Sequence, residues 1–242
     1  NLSKDPISLL AEPHGGKLVR READEALWRE SRTLPQLKVT EFDLMDCEQI
    51  ALGTYSPLTG FMDKETLIGV LDENRLPNGT IWTLPVILQV PDNTIATIGV
   101  GARIALTDEA GLVRSVLDVS ECFQIDLEDV AERWFGTTDD IHPGVARLYG
   151  KGRTVLAGEV TLVERLPSPY RNYELSPAQL RQIFTHKGWS RVVGFHTRNV
   201  CHRVHEHIQL AALQRTYADG LYISPVIGPK KCGDFPAQSN YE

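Results

Sequence analysis

The stretch RVVGFHTRNVCHRVHEHIQ, residues 191 to 209, gathers His196, His202, His205 and His207 with Arg198 and Arg203 behind a short apolar run. A guanidinium is a permanent, forked cation whose donors match a tetrahedral oxyanion. Histidines three positions apart, such as His202 and His205, share one face of a helix. Thr197 and Asn199 add neutral hydrogen-bonding groups. Residues of these types at this spacing point to a phosphate-bearing ligand, with room for a second small anion.

Positioning such a cluster takes a strand, a loop and a helix. RVVGF reads as a short buried strand, HTRNV as a loop, and CHRVHEHIQLAALQRTYADG as a helix starting near Val200. LYISPVIG supplies a second strand, completing a strand–helix–strand unit and therefore a parallel, doubly wound sheet. In such sheets ligands lie beyond the carboxyl ends of the strands, where a helix N-terminus turns its dipole and free N–H groups toward them. Ahead of this unit, SPAQLRQIFTHKGW (176–189) is a helix with Ser176 as cap, Pro177 at its first position and Gly188 at its end.

Residues 1–167 follow a different pattern. LVRREADEALWRESRTLP, from residue 18, predicts a short helix. SPLTGFMDKETLIGVLDE (56–73) and DLEDVAERWFG (126–136) predict two more, the last with carboxylates in its first turn, where the helix dipole favours them. NRLPNGTIWTLPVILQV (74–90) joins a Pro-Asn-Gly turn to a β-branched run. Residues 98–122 read as two strands around the turn Asp108–Gly111, and 153–166 as another strand or a bent hairpin. Short strands at these intervals suggest a small barrel or sandwich. The proline-rich PSPYRNYELSP, from residue 167, reads as a linker, dividing the chain into 1–167 and 168–242.

The 242 residues suffice for one large domain or two ordinary ones. A net charge of −7 speaks against a general nucleic-acid binder. No apolar run approaches the roughly 20 residues that span a bilayer, and NLSKDPISLLAEPHGG has no signal-peptide pattern. The scattered Cys47, Cys122, Cys201 and Cys232 predict isolated reduced thiols in a cytoplasmic protein. Without HExxH or a cysteine pair, no zinc site is expected. Bland assignments go to His142, His186 and His207, which read as structural or surface residues.

Beyond its chemistry, VVGFHTRNVCHRVHEHIQ resembles the Gln-Thr-Arg-Asn-Pro and His-x-x-His signatures of the ATP sulfurylase (sulfate adenylyltransferase) family. PHGG (13–16), YSPLTGFM (55–62), LPNGTIWTLPVILQV (76–90), HPGV (142–145) and DGLYISPVIGPKKCGDF (219–235) resemble that family in its order. The resemblance implies a β-rich PUA-like domain over 1–167. An α/β Rossmann-like nucleotidyltransferase domain with a parallel sheet would then have its first part in 168–242. It implies ATP, Mg²⁺ with the nucleotide, and sulfate giving adenosine 5′-phosphosulfate and pyrophosphate, reversibly, by direct attack of sulfate on the α-phosphorus. Thr197, Arg198 and Asn199 match the active-site triplet, with Arg198 on sulfate. His202 and His205 match the histidines that hold the triphosphate, and His196 stands where the family has Gln, a ligand contact. The resemblance also implies a homo-oligomer, and no nucleic-acid or membrane partner.

Two departures carry expectations of their own. His196 for Gln and Val200 for Pro predict a sulfate affinity that depends on pH. The family's second nucleotide motif, Gly-Arg-Asp-His, should follow GPKKCGDF. Nothing after Phe235 resembles it, so the chain as it stands is expected to have little or no activity. Two other readings stay open: a non-catalytic module binding RNA or a protein through its PUA-like half, and a nucleotidyltransferase with another acceptor.

Overall fold

The computed structural model describes residues 9–96 and 98–226. Compact units divide the chain at two points. One runs from Pro13 to Ala178, and the other joins residues 179–226 to residues 9–12.

The Pro13–Ala178 unit is built on one mixed sheet rather than on two facing sheets of a sandwich. Its strands are β1 (Gln36–Lys38), β2 (Gly60–Phe61), β3 (Leu88–Val90), β4 (Arg103–Thr107), β5 (Val113–Gln124) and β6 (Thr154–Leu162). The order is β1-β4-β5-β6-β2, with β3 beside β2 on the outer edge of β6. β4 and β5 pair antiparallel around Asp108–Gly111, as the turn residues predict: the Asp108 carboxylate accepts from the N–H groups of Ala110 at 3.0 Å and Leu112 at 2.9 Å. β6 is a single strand, because Ser115 to Gln124 of β5 hold it through Leu162.

Glycines let the third layer of pairing close. A side chain on Gly60 would put its Cβ 1.8 Å from the Gly158 carbonyl oxygen. One on Gly158, itself at φ +150°, would come within 2.0 Å of the Asp118 oxygen. The bulge between Val119 and Glu121 lies at this crossing.

Helices cover the sheet at α1 (Glu25–Glu30), α2 (Glu41–Leu52), α3 (Lys64–Glu73), α4 (Leu127–Phe135) and α5 (Pro143–Tyr149). Four differ from the sequence reading. The helix expected from residue 18 is confined to α1, because the chain before it runs along β6: Arg21 accepts from the Leu162 N–H, and Ala23 donates back to the Leu162 oxygen. The segment expected as helix from 56 becomes helical only at Lys64, where Asp63 caps the Thr66 N–H at 2.8 Å. α2 and α5 were not foreseen at all. α2 hides from pattern reading because its inner face carries Asp43 and Glu48 among Leu44, Cys47 and Ile50. Long-range cations satisfy both carboxylates. Lys151 Nζ lies 2.5 Å from Asp43, and Arg165 Nε donates to Glu48 at 2.6 Å.

Glu48 also accepts from the Leu166 N–H at 3.0 Å and pairs with Arg171 at 3.4 Å. The proline-rich segment is thus tied to α2 and not a free linker. The core beneath consists of side chains such as Leu44, Ile50, Leu67, Leu88, Leu117 and Leu156, all fully buried. Segments resembling the family's N-terminal motifs meet on this unit. His14 Nε2 lies 2.8 Å from the Ile81 oxygen, its ring lies against Trp82, and Tyr55 meets Trp82 edge-on. Cys47, Cys122 and Cys201 are free thiols, and Cys232 lies outside the described residues.

One partly buried carboxyl, Asp46 on α2, is pushed up to about 6, first by loss of water and also by neighbouring Asp43, partly offset by a hydrogen bond from Tyr55. A carboxyl whose folded pKa lies above its unfolded value opposes folding once ionised. Its penalty therefore grows as pH rises from about 4 to about 6 and levels off above. Asp46→Asn is expected to raise stability by about 2 kcal/mol near pH 8 and to change little near pH 4; urea titrations across that range check it, and an equal gain at both ends would refute the assignment.

The second unit contains α6 (Pro177–His186) from Gln179 onward, β7 (Val192–Thr197), α7 (Arg203–Thr216) and β8 (Gly220–Pro225). β7 and β8 are parallel, Val192 opposite Gly220 and Thr197 opposite Pro225. β7 is less buried than its apolar sequence suggests, since only Thr197 on it is buried. Among the described residues this sheet has two strands and so covers neither face fully. Its far end is locked by Asp219, whose carboxylate accepts from the Ser190 hydroxyl and the N–H groups of Ser190 and Arg191. Those hydrogen bonds, the Ser190 hydroxyl foremost, hold the Asp219 carboxyl below the usual range. Trp189 stacks on Phe184 and leaves no room for a side chain at Gly220.

Candidate active site

The cluster read from the sequence sits at the C-terminal end of β7 and the start of α7. Its local geometry differs from the expected one. The strand runs on through His196 and Thr197, and the helix begins at Arg203, so the connecting loop is 198–202. Val200 is not helical, and His202 is the residue that caps the helix.

Thr197, the buried end of β7, fixes the loop entrance. Its hydroxyl lies 3.0 Å from the Asn199 oxygen and 3.1 Å from the Asn199 nitrogen, and its own carbonyl accepts from the Val226 N–H at 2.8 Å. The loop exit is held by Gln209, only 7% exposed, whose amide reaches Cys201 Sγ at 3.6 Å. Gln209 is a supporting residue that sequence reasoning missed. Nothing marks it in the sequence except that it lies two helical turns from the cap. Arg198 and Asn199 are exposed on this loop.

The two histidines form a reciprocal cap. His202 Nδ1 accepts from the Val204 N–H at 3.3 Å, and His205 Nδ1 accepts from the His202 N–H at 3.4 Å. Their rings are 4.0 Å apart, and Phe195 meets His205 edge-on at 5.6 Å. With each Nδ1 accepting, the ring proton sits on Nε2, which remains a donor on each imidazole. This corrects the expectation of open N–H groups at the helix start. Two of them are already bonded to imidazole nitrogens, and the imidazoles carry the donor function outward in their place.

His196 takes a different direction. Successive side chains of a strand alternate, so His196 lies on the sheet face opposite Phe195 and Thr197, and it is exposed. His207 is exposed on α7, and His186 ends α6. His142 caps α5 through Nδ1 and rests on Phe135. Among the described residues no three His, Cys, Asp or Glu side chains gather as a metal site. No helix there is long and apolar enough to cross a membrane.

This architecture defines a β-rich PUA-like unit followed by a strand–helix–strand element of α/β type. Residues 11–165 match the PUA-like domain family and residues 171–242 the ATP-sulfurylase family. The chain belongs to the PUA-like domain family, whose match covers well over half of it, and its C-terminal part is similar to the ATP-sulfurylase family. It is 44% identical over 230 residues to the sulfate adenylyltransferase of Symbiobacterium thermophilum, covering 93% of this chain and 58% of that protein. The sulfate adenylyltransferase of Thermococcus onnurineus is 38% identical over 231 residues, 94% of this chain and 59% of that one. Among solved structures, the hexameric APS kinase from Thiobacillus denitrificans superposes with a TM-score of 0.72 at 28% identity, covering 93% of this chain and 41% of that one. The chain thus spans somewhat under three-fifths of the length of these curated relatives.

Proposed function

We propose that the chain supplies the sulfate and triphosphate contacts of an adenylyl transfer. ATP and sulfate would give adenosine 5′-phosphosulfate and pyrophosphate, reversibly, by attack of a sulfate oxygen on the α-phosphorus. The observation that carries this reading is the loop 198–202, with Arg198 and Asn199 between Thr197 and the capped His202–His205 pair. Sulfate is a poor nucleophile, and both reactants are anions. Catalysis therefore rests on holding them together against repulsion and on donors aimed where charge develops. Arg198 binds sulfate, Thr197 and Asn199 orient the loop and the ligand, and the Nε2–H groups of His202 and His205 donate to phosphate oxygens. His196, exposed on the strand face opposite Thr197, would reach the ligand from that other face. Mg²⁺ arrives with the nucleotide and neutralises phosphate charge. We further infer a division of labour at about residue 167, a cytoplasmic location and a homo-oligomer.

Titrating the ¹⁵N-labelled chain with pyrophosphate tests the site. Saturable shifts are expected at residues 197–205, and replacing His202 and His205 together by Ala is expected to weaken binding by about tenfold or more. Shifts confined to other segments, or an undiminished affinity in the double variant, would remove the basis of the reading.

A further inference from the structure

The Pro13–Ala178 unit contains a cavity of about 250 Å³ between α2, the segment 84–89, the end of α4, and α5. Nothing in the adenylyl-transfer reading uses it. Its walls are aromatic and apolar. Trp134 and Phe135 stack at 4.6 Å on one side, and Phe42 and Leu84 are exposed at the mouth. A volume of this size suits one flat ring and its substituent, below the usual range for large ligands.

Charges inside it are unequally matched. Asp43 is closed off by Lys151, at 2.5 Å. Asp46 has no cation in ion-pair contact among the described residues, and its carboxylate accepts only the Tyr55 hydroxyl, at 3.1 Å. Arg147, at the rim, lies with its guanidinium 4.5 Å above the Phe42 ring instead of on a carboxylate. An anion entering here would meet two carboxylates, with Lys151 already committed and Arg147 drawn onto the Phe42 ring at the rim. A neutral ring would gain the walls but leave Asp46 unmatched. A flat cation satisfies both, because aromatic faces and a carboxylate attract it together.

We infer that this cavity binds a small planar organic cation, an amidinium, guanidinium or aryl ammonium, whose charged head pairs with Asp46 while its body lies against Phe42, Trp134 and Phe135. Proton release accompanies binding. Asp46 holds a proton up to about pH 6 in the empty site, whereas the bound cation requires the carboxylate. The other groups facing it are the Asp43–Lys151 pair, the Tyr55 phenol and the Arg147 guanidinium. Burial pushes Tyr55 up, so it stays a donor across neutral pH. Affinity should therefore rise with pH and level off above about 7.

The test compares benzamidine with its neutral and anionic counterparts, benzamide and benzoate, by calorimetry and ¹⁵N shifts on this chain. Benzamidine is expected to saturate, to shift resonances of α2 and α5, and to bind about tenfold more tightly at pH 7.5 than at pH 5. Asp46→Asn is expected to lose about tenfold or more of that affinity while its thermal midpoint at pH 7.5 does not fall. The inference is overturned by benzamide or benzoate binding as well as benzamidine, by an unchanged affinity in Asp46→Asn, or by no saturation with benzamidine up to about 10 mM. It does not rest on the anion site, whose pyrophosphate titration reads a different unit.

Discussion

Arg198→Ala is expected to cut ATP formation from adenosine 5′-phosphosulfate and pyrophosphate by about 10²–10³-fold, measured on a chain of the relatives' full length that carries these residues. The guanidinium is the one permanent cation of the loop 198–202. Two reacting anions cannot be held side by side without offsetting their repulsion. Because Arg198 is exposed on a loop anchored by Thr197 and Gln209, circular dichroism and thermal midpoint should be unchanged. Arg198→Lys should recover only part of the rate, since an ammonium keeps the charge but loses the fork. Near-normal turnover in the alanine variant would end the assignment of this loop to the reaction.

Gly60→Ala tests the other unit and is expected to cost about 3 kcal/mol or more. The new Cβ would sit 1.8 Å from the Gly158 carbonyl oxygen and 2.7 Å from the Glu159 Cα, and neither backbone atom can swing aside like a side-chain tip. β2 would have to leave β6, and with it the hydrogen bond from the Val160 N–H to the Thr59 oxygen. Such a loss lowers the thermal midpoint by roughly 6–12 °C in a unit of this size. A midpoint within about 2 °C of the parent would show that the strand crossing is looser than the structure has it.

How legible these elements were depended on how local their causes are. α4 follows from Asp126, whose side chain caps Glu128 and Asp129, and from Gly136 at φ +69°. Those residues lie within a few positions of the helix they bound. The β4–β5 turn is equally local. The site's composition was legible in the same way, as Arg198, His202 and His205 fall within eight residues. Its geometry was not. A two-residue difference in where β7 ends decides whether His196 has a strand face at all. A helix start three residues later turns His202 from a helical residue into a cap. α2 was missed because the partners that permit a carboxylate on its inner face, Lys151 and Arg165, lie more than a hundred positions away.

By itself, then, the sequence determined the family, the order of β-rich and α/β parts, the caps and turns, and which side chains gather near residue 200. The tertiary structure alone decided that the sheet is single and mixed, that Gly60 and Gly158 touch, that both imidazoles spend Nδ1 on the backbone, and that Asp46 faces a cavity with no ion-pair partner among the described residues. The physical reason is distance along the chain. Caps, turns and strand alternation are set by neighbours a few residues apart, whereas burial, ion pairing and close backbone approach depend on which remote segments the folded chain brings together.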